Sequence, residues 1–521
     1  MQKLLYRSIV FVTLLVTLPS FAAGQATHVV VVVWDGMRPD FISQQHTPTL
    51  YRLAHDGVMF EHHHAVYCSA TEVNGTAIAT GAYPGHSGII ANRDYLPQVE
   101  PLKSVDVQSY AVVQKGDEVT GGNYLLRPTL AEILHQAGQT TAIAGSKEIA
   151  LLHDRRERPG NAPAASVTLF EGKTLPASAL APIQSLLGEF PASVSASSAA
   201  PNSPRDEWTT RALLGSLWSN SVPAFSLLWL SEPDFSQHAT GPGSPKALAA
   251  LESSDKKLAA VLTELDRRGL REQTDVFVVS DHGFSTVEKS VDLGKALQDG
   301  GFAAYREFKS PPKNGDILIV GQGGSALFYI IGHDAPTAGR LVTFLQHQDF
   351  AGVIFTREKM PGAFLLKDVN LDSPHAPDVV LSLRWTTNNS AIGVPGTLYG
   401  EGGRKPGQGL HASLSRFDMH NTLVGAGPDL KKGFADPLPT GNTDLAPTIL
   451  WLLGIKPTVM MDGRILSEAL NVSAPKTDQP QTKKIEAQCT TGTMVWHQYL
   501  QISQVNGTVY FDEGNGGLTA K

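Results

Sequence analysis

An α/β fold is what this sequence predicts: a three-layer αβα arrangement around a largely parallel central sheet, with an inserted α+β capping subdomain. Three observations lead there. The runs His28–Trp34, Phe225–Leu230 and Val276–Val279 are apolar without alternation, as strands buried on both faces are. Leu248, Leu251, Leu258, Val261, Leu262 and Leu265 recur at helical spacing between the second and third runs and stop at Gly269, which makes one βαβ unit. From about residue 286 to about 408 the pattern changes to short alternating strands such as Asp316–Val320 and Ala326–Ile331, with many glycines, and this stretch reads as the inserted capping region.

Each long apolar run ends in residues able to ligate a metal ion. Asp35 follows the first run, and Asp234 and His238 follow the second with a spacing that lets both converge on one ion in a compact turn. Asp281 and His282 follow the third. Neighbours in a strand point to opposite faces, so these two reach one ion only if the chain bends, and Gly283 permits the bend. The carboxyl edge of an open α/β sheet is where ligands bind.

Taken in order, the connecting segments are mostly scaffold. Thr47 reads as N-cap and Pro48 as first residue of a helix stopped by Gly57. His62, His63 and His64 are consecutive, cannot all face one ion in regular structure, and read as structural or exposed. Val73, Thr76, Ala77 and Thr80 precede Gly81 at helical spacing, which puts Thr71 in a first turn, where the macrodipole is positive and N–H groups are unpaired. Asn74, one turn on, is placed to donate to an oxyanion beside that hydroxyl. A helix over Thr129–Gly138 and a strand over Thr141–Ala144 lead to Lys147, Arg155 and Arg156, basic groups that read either as a solvated loop or as contacts for a phosphate. Pro159–Pro204, rich in Ala, Ser and Pro, reads as an insertion with long loops. Gly321-Gln322-Gly323-Gly324 lacks the Gly-Lys-Ser/Thr ending of a phosphate loop and reads as a hairpin turn, while His333, His347 and His375 are given no role. Thr443–Thr448 opens a helix that ends at Gly454, and residues 471–521 form a polar linker with a hairpin around Asn506-Gly507.

With 521 residues, 42% hydrophobic and 17% charged, the chain is long enough for one large α/β domain with insertions or for two domains. Lys3 and Arg7, the apolar run Ile9–Leu18, and Ala22-Ala23-Gly24 have the layout of a secretory signal peptide over residues 1–24, leaving 25–470 for the main domain. An exported protein, periplasmic or secreted and without a stable membrane anchor, is expected. Removing Lys3 and Arg7 from the 42 Lys and Arg leaves 40 against 49 Asp and Glu, a balance that argues against a nucleic-acid partner. Cys68 and Cys489, the two cysteines, do not make a disulfide framework.

The strand ending in Asp35, the Thr71-x-x-Asn74 helix start with Thr80-Gly81 and Gly88-Ile89, and the Ser280-Asp281-His282-Gly283 turn together resemble the alkaline phosphatase superfamily, and within it the type I phosphodiesterase and nucleotide pyrophosphatase family. Glu232-Pro233-Asp234 with His238 matches a pattern of the same family. The family's last metal histidine sits in a Gly-x-His segment before a Gly-Pro turn, which selects His411, ahead of Gly427-Pro428, over His420. Sulfatases need Pro and Arg two and four residues past their Cys or Ser, and Ala70 and Glu72 stand there after Cys68.

The resemblance implies two divalent ions, zinc being suited to mixed imidazole and carboxylate ligands. Asp35, Thr71, Asp281 and His282 would hold one; Asp234, His238 and His411 would hold the other, with a fourth position open. It also implies Thr71 as nucleophile through a phosphothreonine, Asn74 as oxyanion donor, and a small phosphorylated substrate cleaved at a phosphodiester or pyrophosphate bond. Nucleotide-cleaving relatives usually carry an aromatic residue directly after the nucleophile; here it is Glu72, taken with Lys147 as a substrate contact. The Thr71–Gly81 segment also looks like the phosphonoacetate hydrolase branch, and Lys147 would neutralise the second charge of a monoester, so a phosphomonoesterase or phosphonate hydrolase is the alternative. A non-catalytic exported binding protein with a relic site predicts missing ligands, and none is missing.

Overall fold

The computed structural model describes residues 24–155, 166–195, 198–471 and 474–521. All but the last residue of the expected signal peptide, and Arg156, lie outside them. Nine strands build the central sheet: β1 His28–Trp34, β2 Val58–His64, β3 Thr141–Gly145, β4 Val167–Phe170, β5 Lys173–Leu175, β6 Phe225–Leu230, β7 Thr274–Val279, β8 Leu423–Ala426 and β9 Phe434–Gly441. Their order is β9-β2-β8-β7-β1-β6-β3-β4-β5. β4, β3, β6, β1 and β7 run parallel; β5 and β8 run against their neighbours, so the sheet is largely parallel.

β1 sits in the middle because its valines serve two cores. Val29, Val31 and Val33 join one apolar layer with the helices Leu130–Gln136 and Leu445–Leu452. Val30, Val32 and Trp34 join the other with the helices Pro48–Asp56 and Pro245–Arg267. Each such side chain stabilises the fold by about 1.5–3 kcal/mol relative to exposure. The result is the expected αβα sandwich. The register then aligns the strand ends, with Trp34 opposite Leu230, and Val33 opposite both Trp229 and Val279. Gly145 is also paired with Trp229, so Lys147 leaves the sheet at the same edge.

Residues 285–410 carry a six-stranded and a four-stranded sheet, which fit the expected capping subdomain. The hairpin turn at Gly321–Gly324 joins the antiparallel strands Ile317–Gly321 and Ser325–Ile330. The C-terminal segment holds a three-stranded antiparallel sheet: besides the hairpin at Asn506-Gly507 it has a further strand, Gln481–Thr491. Trp496 of that sheet is fully buried in the core of the cap.

Two local expectations are corrected. Thr47 precedes the helix Pro48–Asp56, but its hydroxyl bonds within the loop to Ser43; the free N–H groups of Thr49 and Leu50 donate instead to Asp255 of the long helix. The Pro159–Pro204 stretch is not loop throughout, since β4 and β5 extend the central sheet from within it. Cys68 and Cys489 are both free thiols. Among the described residues no helix is long and apolar enough to cross a membrane.

Candidate active site

Of the residues expected at the site, Asp35, Thr71, Glu72, Lys147, Asp234, His238, Asp281, His282 and His411 turn a polar atom toward one buried point or flank it, while Asn74 and Arg155 do not. Asp35 leaves β1 fully buried; its Oδ2 accepts from Trp229 Nε1 at 2.9 Å and Lys147 Nζ at 2.8 Å, while its Oδ1 has no partner. Asp281 Oδ1 accepts from the Gly36 N–H at 3.0 Å, and its Oδ2 has none. Asp234, on the helix Asp234–Thr240, accepts from Lys147 Nζ at 2.9 Å on Oδ2 and leaves Oδ1 unpaired. Three buried carboxylate oxygens without donors are costly unless a cation meets them.

The histidines complete the arrangement. Nδ1 of His282, His238 and His411 lies 2.9, 3.0 and 2.9 Å from the backbone carbonyls of Gly283, Gly409 and Ser69. A carbonyl only accepts, so each ring carries its proton on Nδ1 and turns the Nε2 lone pair the other way. Those lone pairs face the unpaired carboxylates: His238 Nε2 lies 3.2 Å and His411 Nε2 3.6 Å from Asp234 Oδ1, and His282 Nε2 is 3.3 Å from Asp281 Oδ2 and 3.7 Å from Asp35 Oδ1. Thr71 Oγ1, at the first position of the helix Thr71–Thr80, is 3.2 Å from His282 Nε2. Two candidate metal-binding groups result, Asp234–His238–His411 and Asp35–Asp234–His282. Asp234 therefore belongs to both, where the sequence reading assigned it to one.

The electrostatics agree with waiting cation sites. Burial, with Asp281 beside it, pushes Asp35 up to about 8; burial pushes Asp281 up to about 7, against the pull of Lys147. Asp234 is held well below the ordinary carboxylate range, because Lys147 and His238 outweigh its burial. Burial lowers His282 and, with His282 and His238 as neighbours, lowers His411 further, so both rings are neutral ligands.

Gly283 has a reason other than the expected bend. A Cβ there would overlap the carbonyl oxygens of Phe417 and His420, and the close approach lets the Gly283 N–H donate to Asp418 O and the Phe284 N–H to Phe417 O. Asn74 departs further from expectation. Its Nδ2 donates to the carbonyls of Val66, Cys68 and Ala70, and its Oδ1 accepts from the Val66 N–H and from Asn442 Nδ2, so no donor is left for a substrate oxygen. It ties the segment before Thr71 into place.

Glu72 is buried, with Oε2 unpartnered, and burial together with Asp106 raises it well above the ordinary carboxylate value. Arg155 is not at the site; it pairs with Asp117 and Glu132. His420 lies outside the metal cluster, its Nε2 donating to the Glu61 carbonyl at 2.8 Å. Of the three consecutive histidines, His63 is fully buried between Thr440 and Asn442, and His64 pairs with Asp512. Sequence reasoning missed Trp229, which reads as ordinary core, and Asn442. The latter donates to Asn74 Oδ1 at 2.9 Å and to the Asp281 carbonyl at 2.7 Å, and accepts from His63 Nε2 and Asn421 Nδ2. Its one signal was its place directly before the Thr443-Asp444 helix opening.

Comparison with known proteins bears on this site. The family model described as type I phosphodiesterase / nucleotide pyrophosphatase matches residues 29–388. Mouse bis(5'-adenosyl)-triphosphatase enpp4 is 22% identical over 438 residues, which is 83% of this chain and 79% of that protein. Murine ectonucleotide pyrophosphatase / phosphodiesterase 5 shares the fold with a TM-score of 0.58 at 17% identity, over 85% of this chain and 100% of its own. An inactive threonine-to-alanine form of that protein, in complex with AMP, gives the same TM-score, identity and coverage. With the family model spanning well over half of its length, this chain belongs to the type I phosphodiesterase / nucleotide pyrophosphatase family of the alkaline phosphatase superfamily and is a metal-dependent hydrolase of that kind.

Proposed function

We propose that the protein is an exported hydrolase that cleaves phosphodiester or pyrophosphate bonds of small phosphorylated substrates with Thr71 as nucleophile and two divalent ions, zinc by the donor set, as cofactors. One observation carries the reading: three imidazoles held by backbone carbonyls aim Nε2 lone pairs at the same buried point as three unpaired carboxylate oxygens, beside a helix-start hydroxyl. This donor set fits the cations. Asp35, Asp281, His282 and Thr71 would hold one and Asp234, His238 and His411 the other, with Asp234 near enough to serve both. Bound there, divalent ions supply Lewis acidity toward the threonine hydroxyl and the phosphoryl oxygens.

The chain's own groups do the rest. Thr71 Oγ1 attacks phosphorus in line and one ester group leaves, giving a phosphothreonine that water hydrolyses. The N-terminus of the Thr71 helix sets the positive end of its dipole toward the phosphoryl oxygens. Trp229 and Gly36 orient Asp35 and Asp281 through the hydrogen bonds described above. Asn74 acts through position and not by contact. The AMP held by the inactive murine relative fits a phosphorylated small molecule as substrate class. The N-terminal Lys3–Gly24 layout supports export.

Lys147 favours a second reading, a phosphomonoesterase or phosphonate hydrolase, since its ammonium already lies inside the site. Zinc-loaded protein assayed on bis-p-nitrophenyl phosphate, p-nitrophenyl phosphate and phosphonoacetate separates them. Preference for the diester, abolished in Thr71→Ala, is expected. Preference for the monoester, lost in Lys147→Ala, would replace the first reading by the second, and no turnover of any of them would refute both.

A further inference from the structure

A buried carboxyl group outside the ligand set stands behind the site. Asp206 lies in the first turn of the helix Ser203–Ala212 and is 1% exposed. It accepts from the ends of two paired central strands, β3 and β6. Ser146 Oγ, just past β3, donates to Asp206 Oδ1. Just past β6, the Ser231 N–H at 2.7 Å and the Ser231 hydroxyl at 2.9 Å donate to the same oxygen, and the Glu232 N–H donates to Oδ2 at 3.2 Å. Ser146 Oγ also accepts from the Ser231 N–H at 3.0 Å, which closes the cluster.

The bracing is reciprocal. Glu232, itself buried, takes the Asn202 N–H at the residue before the Asp206 helix. It also takes the Ser236 N–H at 3.0 Å and the Ser236 hydroxyl at 2.9 Å, on the helix that carries Asp234 and His238. The two segments held in this way lead directly into the site: Ser146 precedes Lys147, and Ser231-Glu232 runs through Pro233 to Asp234. Lys147 Nζ then meets Asp234 Oδ2 at 2.9 Å.

Asp234 needs such a brace more than the other two acidic ligands do. Asp35 is the residue after β1 and Asp281 the second after β7, so strand register places them. Asp234 is the fourth residue past Leu230: register brings it to the edge but does not fix it there. Ligands bind a metal ion tightly when partners outside the ligand set hold them in orientation.

We infer that Asp206 is a positioning residue for the ion assigned to Asp234, His238 and His411: it fixes the Ser231–Asp234 turn against Ser146 and Lys147, and so sets Asp234 beside the two imidazoles. This deepens the two-ion reading and rests on it.

The test measures zinc affinity by chelator competition, with Asp255→Ala as control. Asp255 is likewise a buried carboxylate that accepts backbone N–H groups, those of Thr49 and Leu50, but it holds a helix that carries none of the ligands. The wild type is expected to hold two ions. Asp206→Asn, which keeps the shape and one acceptor oxygen, should weaken one of them by about tenfold or more. Its kcat/KM on bis-p-nitrophenyl phosphate should fall as well and recover in excess zinc. Ser146→Ala, which removes one member of the cluster, should weaken the same ion by less, and serves if Asp206→Asn does not fold. Asp255→Ala should lower Tm and keep both affinities. Both ions bound as tightly in Asp206→Asn and Ser146→Ala as in the wild type, or an equal weakening in Asp255→Ala, would overturn the inference and leave the two-ion reading standing. A wild type that binds no zinc would overturn both.

Discussion

Replacing Asn74 by alanine separates two roles that the sequence alone confounds. The side chain accepts from two buried donors, the Val66 N–H at 2.7 Å and Asn442 Nδ2 at 2.9 Å, and donates to three carbonyls. Each buried donor left without an acceptor costs about 1–3 kcal/mol, so the two together cost roughly 2–6 kcal/mol. For a cooperative unit of this size that is a fall in Tm of roughly several degrees. Activity should fall as well, because the Val66–Ala70 segment leads directly into Thr71, but only together with stability. The assay pairs thermal unfolding with kcat/KM on bis-p-nitrophenyl phosphate for wild type, Asn74→Ala and Asn442→Ala. Asn442→Ala should reproduce both losses, since it removes the other half of the same contact and the hold on the Asp281 carbonyl. An Asn74→Ala protein with unchanged Tm and a hundredfold lower kcat would show that the amide reaches the substrate, and would refute the positioning role.

Other outcomes follow from the same geometry. His411→Ala should lower bound zinc and abolish turnover, whereas His420→Ala, outside the cluster, should retain the metal; elemental analysis of the purified variants decides this. Gly283→Ala should cost well over a hundredfold in activity and lower Tm, because a Cβ would push the Phe417–His420 segment off the strand end. His153 is buried against Trp229 with its Nε2 unpartnered, and burial holds it down to about 3. Below an unfolded-state value of about 6.5 the unfolded chain takes up a proton that the folded chain refuses, so stability is lost as pH falls from 6.5 toward 3, by about 2 kcal/mol at pH 5 from this residue. Denaturant titrations at pH 7.5 and 5 should therefore show His153→Phe losing about 2 kcal/mol less than wild type between the two. N-terminal sequencing of the exported protein should begin near Gly24; retention of Lys3 would sink the export reading.

What was legible in the chain follows from period and punctuation. The unbroken valines of β1 and the helical spacing of the Pro245–Arg267 segment carry their own signal, because burial on two faces or on one stripe dictates residue type locally. Asp35, Asp234, His238, Asp281 and His282 could be picked out because they stand just after such runs, whereas Thr71 came from a helix start and His411 from the resemblance. What stayed hidden depends on partners distant in the chain. Asp255 caps a helix some two hundred residues earlier, and Trp229 looks like core until its indole N–H meets Asp35. β4 and β5 are too short to show a period and become strands by pairing at the sheet edge.

Asn442 shows why the site needs this fold and not merely these ligands. A parallel sheet delivers Asp35, Asp234 and Asp281 to one edge by register, but nothing in the register fixes the Thr71 helix against that edge. The amide of Asn442 does so, holding Asn74 of that helix with one hydrogen and the Asp281 carbonyl with the other, while His63 and Asn421 fill its oxygen. Every one of its hydrogen-bonding positions is used, and buried networks satisfied in this way are rigid. The 3.2 Å separation of Thr71 Oγ1 from His282 Nε2 is thus set from behind, by side chains that never meet the substrate.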